Sequence, residues 1–316
     1  MPSIIEVDEL RRTFIVHRKR GRLRRDRHQV HAVDGVTFEI GAGEAVGYIG
    51  PNGAGKSTTV KMLTGILVPT SGRLRVAGLD PSARRTELAK HIGVVFGQRT
   101  GLWWDLPLRD SYELLGRIYR IPRQTYEANL ERFVELLDLG GLLDQPVRQL
   151  SLGQRMRGDI AAALLHNPRI LYLDEPTIGL DVVSKAKLRE FLRELNAEGG
   201  TTILLTTHDL VDIEQVCRRV MVIDHGRLVF DGGFEELHRQ GGARRTVVVD
   251  LAAPADPLEV PGAASARVDG ARQWLSLPAG ASTAPVVAAL GTRDDLVDLS
   301  IQEPAIEDVI TALYSR

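Results

Sequence analysis

Gly50-Pro51-Asn52-Gly53-Ala54-Gly55-Lys56-Ser57 follows the apolar run Ala45 to Ile49 and leads into the helix-compatible stretch Ser57 to Thr64. A strand, a glycine-rich turn and a helix in that order make a cradle for phosphate. The glycines let backbone N–H groups turn inward onto phosphate oxygens, Lys56 brings positive charge to the β and γ phosphates, and the Ser57 hydroxyl reaches Mg2+. Gly50 through Thr58 is therefore the candidate nucleotide-binding loop. A plain glycine-rich turn is the competing account, and it weakens as further elements join the set.

Working outward, Ile170-Leu171-Tyr172-Leu173-Asp174-Glu175 reads as a buried strand ending in two acids. Asp174 suits the Mg2+ shell, and Glu175, one residue beyond the strand, suits the general base that polarises an attacking water. Strand-like runs at Ile92 to Val95, Thr202 to Thr206 and Val220 to Ile223 alternate with helical stretches, the signature of a largely parallel sheet covered by helices. The predicted fold class is α/β. From about Leu102 to Gln149 helical patterns run on with no strand between them, which predicts an inserted helical subdomain over 102–150.

The chain has 316 residues, 43% hydrophobic and 26% charged, with a net charge of -1, so nothing global draws it to nucleic acid. Cys217 is the only cysteine; it excludes an intrachain disulfide and fits a cytosolic setting as a packed core thiol. Met1 to Glu6 lacks a signal-peptide pattern, and no apolar run approaches the roughly 18 residues that span a bilayer. Membrane attachment is expected through a partner. After residue 240 the composition shifts: no lysine, six arginines against ten acids, and much Ala, Val and Pro. This predicts a cassette over 1–240 and a small α+β accessory domain over 241–316. Its strands are expected near Arg245 to Leu251, Gln273 to Leu277 and Leu296 to Ile301, with helices around Thr283 to Leu290 and Ile306 to Tyr314.

Leu150-Ser151-Leu152-Gly153-Gln154, then Asp174-Glu175-Pro176-Thr177, Gly179-Leu180-Asp181 and Thr207-His208-Asp209, following the phosphate loop, resembles the ATPase cassette of ABC transporters in content, order and spacing. The resemblance covers about residues 3 to 238. It implies a mixed-sheet core with an antiparallel β subdomain and a helical subdomain, and an enzyme that hydrolyses ATP. Gln98 matches the glutamine that touches Mg2+ and the water and senses the membrane partner. Ser151, Gly153 and Gln154 match the signature that contacts the γ phosphate of ATP held by the opposite subunit. His208 matches the switch histidine, and Asp181 the loop aspartate that crosses the dimer interface. Phe14 is the candidate for stacking on adenine, with a core aromatic as the equal alternative, because the basic segment after it disturbs the family spacing. The implied partners are a second copy or sister ATPase subunit and an integral-membrane permease, which would hold the chain at the cytoplasmic face of the membrane. No nucleic acid is expected.

Trp103-Trp104-Asp105-Leu106-Pro107, Leu152 in place of the usual glycine, and the ending Glu303 to Asp308 are similar to bacterial exporter-type ATPases, including those grouped with viologen and drug exporters. A soluble ABC protein acting on nucleic acid or ribosomes is the alternative. It fits less well, since such proteins resemble two fused cassettes or a cassette split by a long coiled coil, and one cassette without sustained heptads is found here.

Between Arg11 and Arg27 lie nine Arg or Lys residues and one acid, Asp26. A solvated charged loop is the plainer reading; contact with acidic headgroups or the membrane partner is the alternative, at about 1 kcal/mol per basic residue near an anionic surface. Reversing four arginines among Arg18 to Arg27 separates the two. Membrane contact requires that recovery with membranes fall several-fold in a salt-sensitive way while basal ATPase persists. Equal recovery at low and high salt leaves the solvated loop.

Overall fold

In the computed structural model, the described residues are 2–20, 24–97, 99–207, 209–240, 245–278, 281–302 and 309. Two compact units divide the chain, Met1–Asp231 and Gly232–Arg316. The composition-based boundary after residue 240 falls later. In chain order the first part contains β1 (Ser3–Arg20), β2 (Arg24–Gly41), β3 (Ala45–Ile49), α1 (Lys56–Leu63), β4 (Ser71–Val76), α2 (Arg85–Leu88) and β5 (Ile92–Phe96). The helical stretch α3 (Leu108–Ile118), α4 (Arg123–Leu136) and α5 (Leu152–Leu164) follows. Then come β6 (Ile170–Asp174), α6 (Val182–Gly199), β7 (Thr202–Thr206), α7 (Leu210–Val216), β8 (Arg219–Asp224) and β9 (Arg227–Gly233). The remainder is α8 (Phe234–Gln240), β10 (Arg245–Leu251), β11 (Ala264–Asp269), β12 (Arg272–Leu277), α9 (Ala284–Leu290) and β13 (Leu296–Gln302).

The central sheet has the order β5-β6-β7-β3-β8-β9, and β5 through β8 pair in parallel. Every residue of β3 and β7 is buried, which is why these strands read as unbroken apolar runs rather than alternating ones. β9 returns beside β8 through His225 and Gly226, both at positive φ (46° and 80°), the backbone pattern of a tight two-residue hairpin. A second sheet, β2-β1-β4, is antiparallel. Its Ile5, Val7, Phe38 and Ile40 share one core with Val60, Met62 and Leu63 of α1 and with Val46, Tyr48, Ile170 and Leu204 of the central sheet. α1 is thus sandwiched between two sheets, and the loop that precedes it is held from both.

The basic segment departs from expectation. It is not a loop through its described part: β1 and β2 continue as an antiparallel ribbon out to Arg20↔Arg24, whereas β4 accompanies β1 only as far as Arg11↔Ser71. Ladder hydrogen bonds are made by backbone, so a strand can carry consecutive charged residues. Residues 21–23 lie outside the described residues. Ile15, Val16 and Val30 on this ribbon are exposed.

In the second unit the sheet order is β11-β12-β10-β13, antiparallel throughout, with α9 contributing Val286 and Leu290 to a core of Val247, Val249, Leu275 and Leu277. β11 had no sequence signal because all six of its residues are exposed, leaving no apolar alternation to read. The helix expected over Ile306 to Tyr314, and the segment Glu303 to Asp308, fall outside the described residues apart from residue 309. Among the described residues no helix is long and apolar enough to cross a membrane.

The polar pin of this unit is Gln273, which is fully buried. Its Oε1 accepts from Leu258 N at 2.8 Å, and its Nε2 donates to Asp256 O at 2.9 Å and Ala255 O at 3.2 Å. Gln273→Ala strands a buried donor and two acceptors, so it is expected to cost about 1–3 kcal/mol in urea unfolding of the full chain. A loss below about 0.5 kcal/mol, the range of neutral surface changes, would remove Gln273 from that role.

Candidate active site

The loop after β3 is shaped by three glycines for two different reasons. A Cβ on Gly50 would lie 2.2 Å from Ile223 O, and one on Gly55 would lie 2.4 Å from Ala32 O, so the loop is pressed between β8 and β2 where no side chain fits. Gly53 meets nothing within 4 Å and instead takes φ +85°, a left-handed turn that favours glycine. Gly55, at φ 112°, is the N-cap of α1, and the first helical bond runs from Thr59 N to Gly55 O at 2.9 Å. The N–H groups of the first turn precede that ladder and are therefore available to an anion at the positive end of the helix dipole.

Lys56 Nζ donates to Gly50 O at 2.6 Å and Pro51 O at 3.1 Å, which folds the ammonium back across its own loop. Partial burial lowers its pKa, against the opposing pull of Glu175 and Asp174. Those two acids stand at the end of β6. Ser57 Oγ donates to Asp174 Oδ2 at 3.2 Å, and Thr206 Oγ1, at the end of β7, donates to Asp174 Oδ1. The register explains the meeting, since Phe96, Asp174 and Thr206 are neighbours across β5, β6 and β7. Among the described residues no group of three or more His, Cys, Asp or Glu is placed to hold a metal alone. A hydroxyl beside a carboxylate is a hard-oxygen donor pair that suits Mg2+ completed by phosphate oxygens and water.

Glu175 turns the chain off the strand with φ 58°, a conformation uncommon for a residue with a side chain, and its N–H donates to Thr206 O at 2.8 Å. Gly97, which immediately precedes Gln98, donates its N–H to Asp174 O at 2.7 Å, and a Cβ there would lie 2.6 Å from Glu175 O. Gln98 and His208 themselves lie outside the described residues, but the chain on either side of each is pinned. Arg99 N donates to Phe96 O at 2.9 Å. Asp209 accepts from Lys185 Nζ at 2.6 Å and donates its N–H to Thr207 Oγ1 at 3.0 Å. β5 and β7 flank β6, so the strands that end before Gln98 and before His208 lie on opposite sides of the strand that ends in Asp174.

Ser151, Gly153 and Gln154 belong to a second group at the start of α5. Ser151 caps that helix in a reciprocal box: Gln154 N donates to Ser151 Oγ at 3.2 Å and Ser151 N to Gln154 Oε1 at 2.9 Å. Leu152, where glycine is usual, covers Gly179: a Cβ on Gly179 would sit 2.3 Å from Leu152 Cδ2, and one on Gly153 would sit 2.9 Å from Leu180 Cδ2. The leucine therefore packs the signature against the segment that carries Asp181. Asp181 caps α6, accepting from Ser184 N at 2.9 Å and Ser184 Oγ at 2.7 Å, and those bonds hold its pKa below the usual carboxylate range. Val182 and Val183 just beyond it are exposed. Phe14 is half-buried on β1 opposite Val30, with the Arg12 guanidinium 4.6 Å from its ring centroid.

Thr206 and Gly97 were not found by sequence reasoning. Each is an ordinary residue locally, and only the pairing of β6 with its two neighbours puts it against the acids.

Residues 33–178 match the family model described as ABC transporter. The chain is 35% identical over 291 residues to the daunorubicin resistance ATP-binding protein DrrA3 of Streptomyces coeruleorubidus, covering 89% of this chain and 90% of that one. It is 33% identical to the daunorubicin/doxorubicin resistance ATP-binding protein DrrA of Streptomyces peucetius, covering 89% and 87%. Among solved structures, the ATP-binding cassette MJ0796, dimeric in a post-hydrolysis state bound to ADP and Pi, superposes with a TM-score of 0.63 at 27% identity, over 72% of this chain and 98% of that one. With this likeness to the two resistance proteins over 89% of its length, the chain belongs to the ABC transporter family as an ATP-binding, ATP-hydrolysing subunit.

Proposed function

We propose that this subunit binds ATP with Mg2+ between the phosphate loop of one copy and the signature of another, and that it drives a separate membrane permease in the export direction. The observation that carries the reading is the convergence of Lys56, Ser57, Asp174, Glu175 and Thr206 at one edge of the parallel sheet. Gly50 to Thr58 would wrap the phosphates, with Lys56 released from its own loop carbonyls to the β and γ phosphates. When bound, Mg2+ would offset charge on the phosphates; Ser57, Asp174 and Gln98 would hold it, with Thr206 fixing which carboxylate oxygen faces it. Glu175 takes a proton from the attacking water, and His208 hydrogen-bonds the γ phosphate. Phe14 would offer its ring to adenine, although Arg12 already covers one face of it.

Ser151, Gly153 and Gln154 would meet the γ phosphate bound by the partner copy, with Asp181 beside them at the interface. The exposed Val182 and Val183 support that placement, because apolar side chains next to a helix cap favour a covered surface. The helical insert over 102–150 is the face offered to the permease, which would keep the chain peripheral on the inner side of the membrane. The cassette extends over 1–240, and 241–316 is an accessory domain. Export is supported by the two resistance relatives, whose alignments run through most of both parts of the chain.

Glu175→Gln preserves shape and removes the base. Turnover is expected to fall a hundredfold or more while ATP still binds and holds a closed dimer; near-normal turnover would take Glu175 out of the role. Lys56→Ala should weaken ATP binding about ten- to a hundredfold, the scale of a lost charge-assisted contact.

Mixing two inactive variants tests the shared site. Lys56→Ala spoils the phosphate loop and Ser151→Arg spoils the signature, so each homodimer has two broken sites, while a mixed dimer built head to tail has one intact site. Trapped labelled ATP in the mixture, absent from both parents, is expected. A mixture no better than its parents, with mixed dimers verified by differential tags, sinks the shared-site model.

A further inference from the structure

α5 begins at the signature, and Asp159, two turns further on, makes a second set of polar contacts. Asp159 Oδ1 accepts from Thr100 Oγ1 at 2.8 Å and from Gly101 N at 2.9 Å, and Thr100 Oγ1 in turn accepts from Leu102 N at 3.1 Å. One carboxylate oxygen thereby organises the three residues that begin two positions after Gln98. Burial pushes the Asp159 carboxyl up to about 6, although the bonds from Thr100 and Gly101 and the nearby Arg155 charge all act the other way. A carboxylate kept in so poorly solvated a place needs its partners.

The same face of α5 holds the rest of the segment. Arg155, one turn earlier, lies 5.3 Å from the Trp104 ring centroid. Gly158 leaves room for the side chains of Leu102 and Leu108, and its carbonyl accepts from the fully buried Tyr112 hydroxyl at 3.1 Å. At its other end the segment is tied to the acids through Gly97 N to Asp174 O, and Arg99 N closes a turn onto Phe96 O. Gly97 on one side, and Thr100, Gly101 and Trp104 on the other, therefore connect the hydrolytic edge of the sheet with the helix that carries Ser151.

We infer that Asp159 is a positioning residue for ATP hydrolysis: it makes α5 and residues 99–102 one mechanical body, so that Ser151 at the start of the helix is held in step with the chain that leaves β5 beside Asp174. The inference rests on the roles proposed above for Ser151 and Asp174. Asp159 acts through Thr100 and Gly101, the residues it is bonded to. Without its tie, the segment after Gln98 and the start of α5 settle independently, and the geometry needed for turnover is reached less often even though the phosphate loop still binds ATP. Small misplacements of this kind lower turnover steeply when groups must align.

The experiment measures kcat, ATP affinity and melting temperature for Asp159→Asn, Asp159→Ala, Thr100→Val and the Ala/Val double variant of the full chain. The Asn amide oxygen still accepts from Thr100 and Gly101, so Asp159→Asn should stay within about threefold of the parent. Asp159→Ala should lose about tenfold or more in kcat with ATP affinity within twofold, and Thr100→Val should lose less. Because both substitutions break the Thr100–Asp159 bond, while Thr100→Val in addition frees Leu102 N, the double variant should fall well short of the product of the two single losses. Parental kcat in Asp159→Ala, an Asn variant as impaired as the Ala variant, a fall in kcat matched by lost ATP affinity, or fully additive losses would each overturn the inference. If Asp159→Ala melts too low to assay, Thr100→Val decides alone, and unchanged kcat there overturns it. Glu175→Gln in the parent background reports separately on the underlying hydrolytic reading, so failure of one is distinguishable from failure of the other.

Discussion

The carboxylate of Asp174 is held from both sides, by Thr206 Oγ1 on one oxygen and Ser57 Oγ on the other. Neither partner could arrive there without the parallel register of the central sheet. Strands that run the same way end at the same edge, and their carboxyl ends deliver the loops that follow them to one crevice. β3 contributes the phosphate loop, β5 the approach to Gln98, β6 the two acids and β7 the approach to His208. The hydrolytic chemistry is therefore a consequence of strand direction, with each loop free to specialise.

A second constraint is proximity of backbone. Gly50, Gly55 and Gly97 all sit where a Cβ would come within 2.6 Å of a main-chain oxygen, of Ile223, Ala32 and Glu175 respectively. These approaches pull the antiparallel sheet onto the loop through β2 and pull the segment before Gln98 onto the acids. Close packing transmits such placements because interiors have few voids to absorb a shift. The shared core of Ile5, Phe38, Val60 and Tyr48 behind the loop keeps α1 from moving independently of either sheet.

α5 links what the sheet edge cannot reach. Its first turn presents the capped signature, packed through Leu152 against Gly179, and its next turns grip residues 100–104. Leucine at the signature thus exchanges backbone freedom for an apolar contact with the segment leading to Asp181. The helix is positioned to report on two loops at once, and neither of them belongs to its own local sequence.

Local chemistry was legible in the chain itself. The spelling of Gly50 to Ser57, the acids closing an apolar run at Asp174 and Glu175, the Ser151 to Gln154 spacing of a helix start, and the apolar periodicity of β10, β12 and α9 all depend on residues close in sequence. Where a stretch had no such periodicity, it was missed or misread. β11 is wholly exposed, and the basic ribbon of β1 and β2 is stabilised by backbone bonds that are indifferent to side-chain charge. The partners of Asp174, the crowding at Gly97, the cover of Leu152 over Gly179 and the grip of Asp159 on Thr100 join residues between 27 and 117 positions apart, or across strands whose order is not sequential. Sequence by itself determined which groups could do the chemistry, because that depends on residue type and short spacing. Only the tertiary structure decided which of them meet, because register and packing are set by the whole core at once.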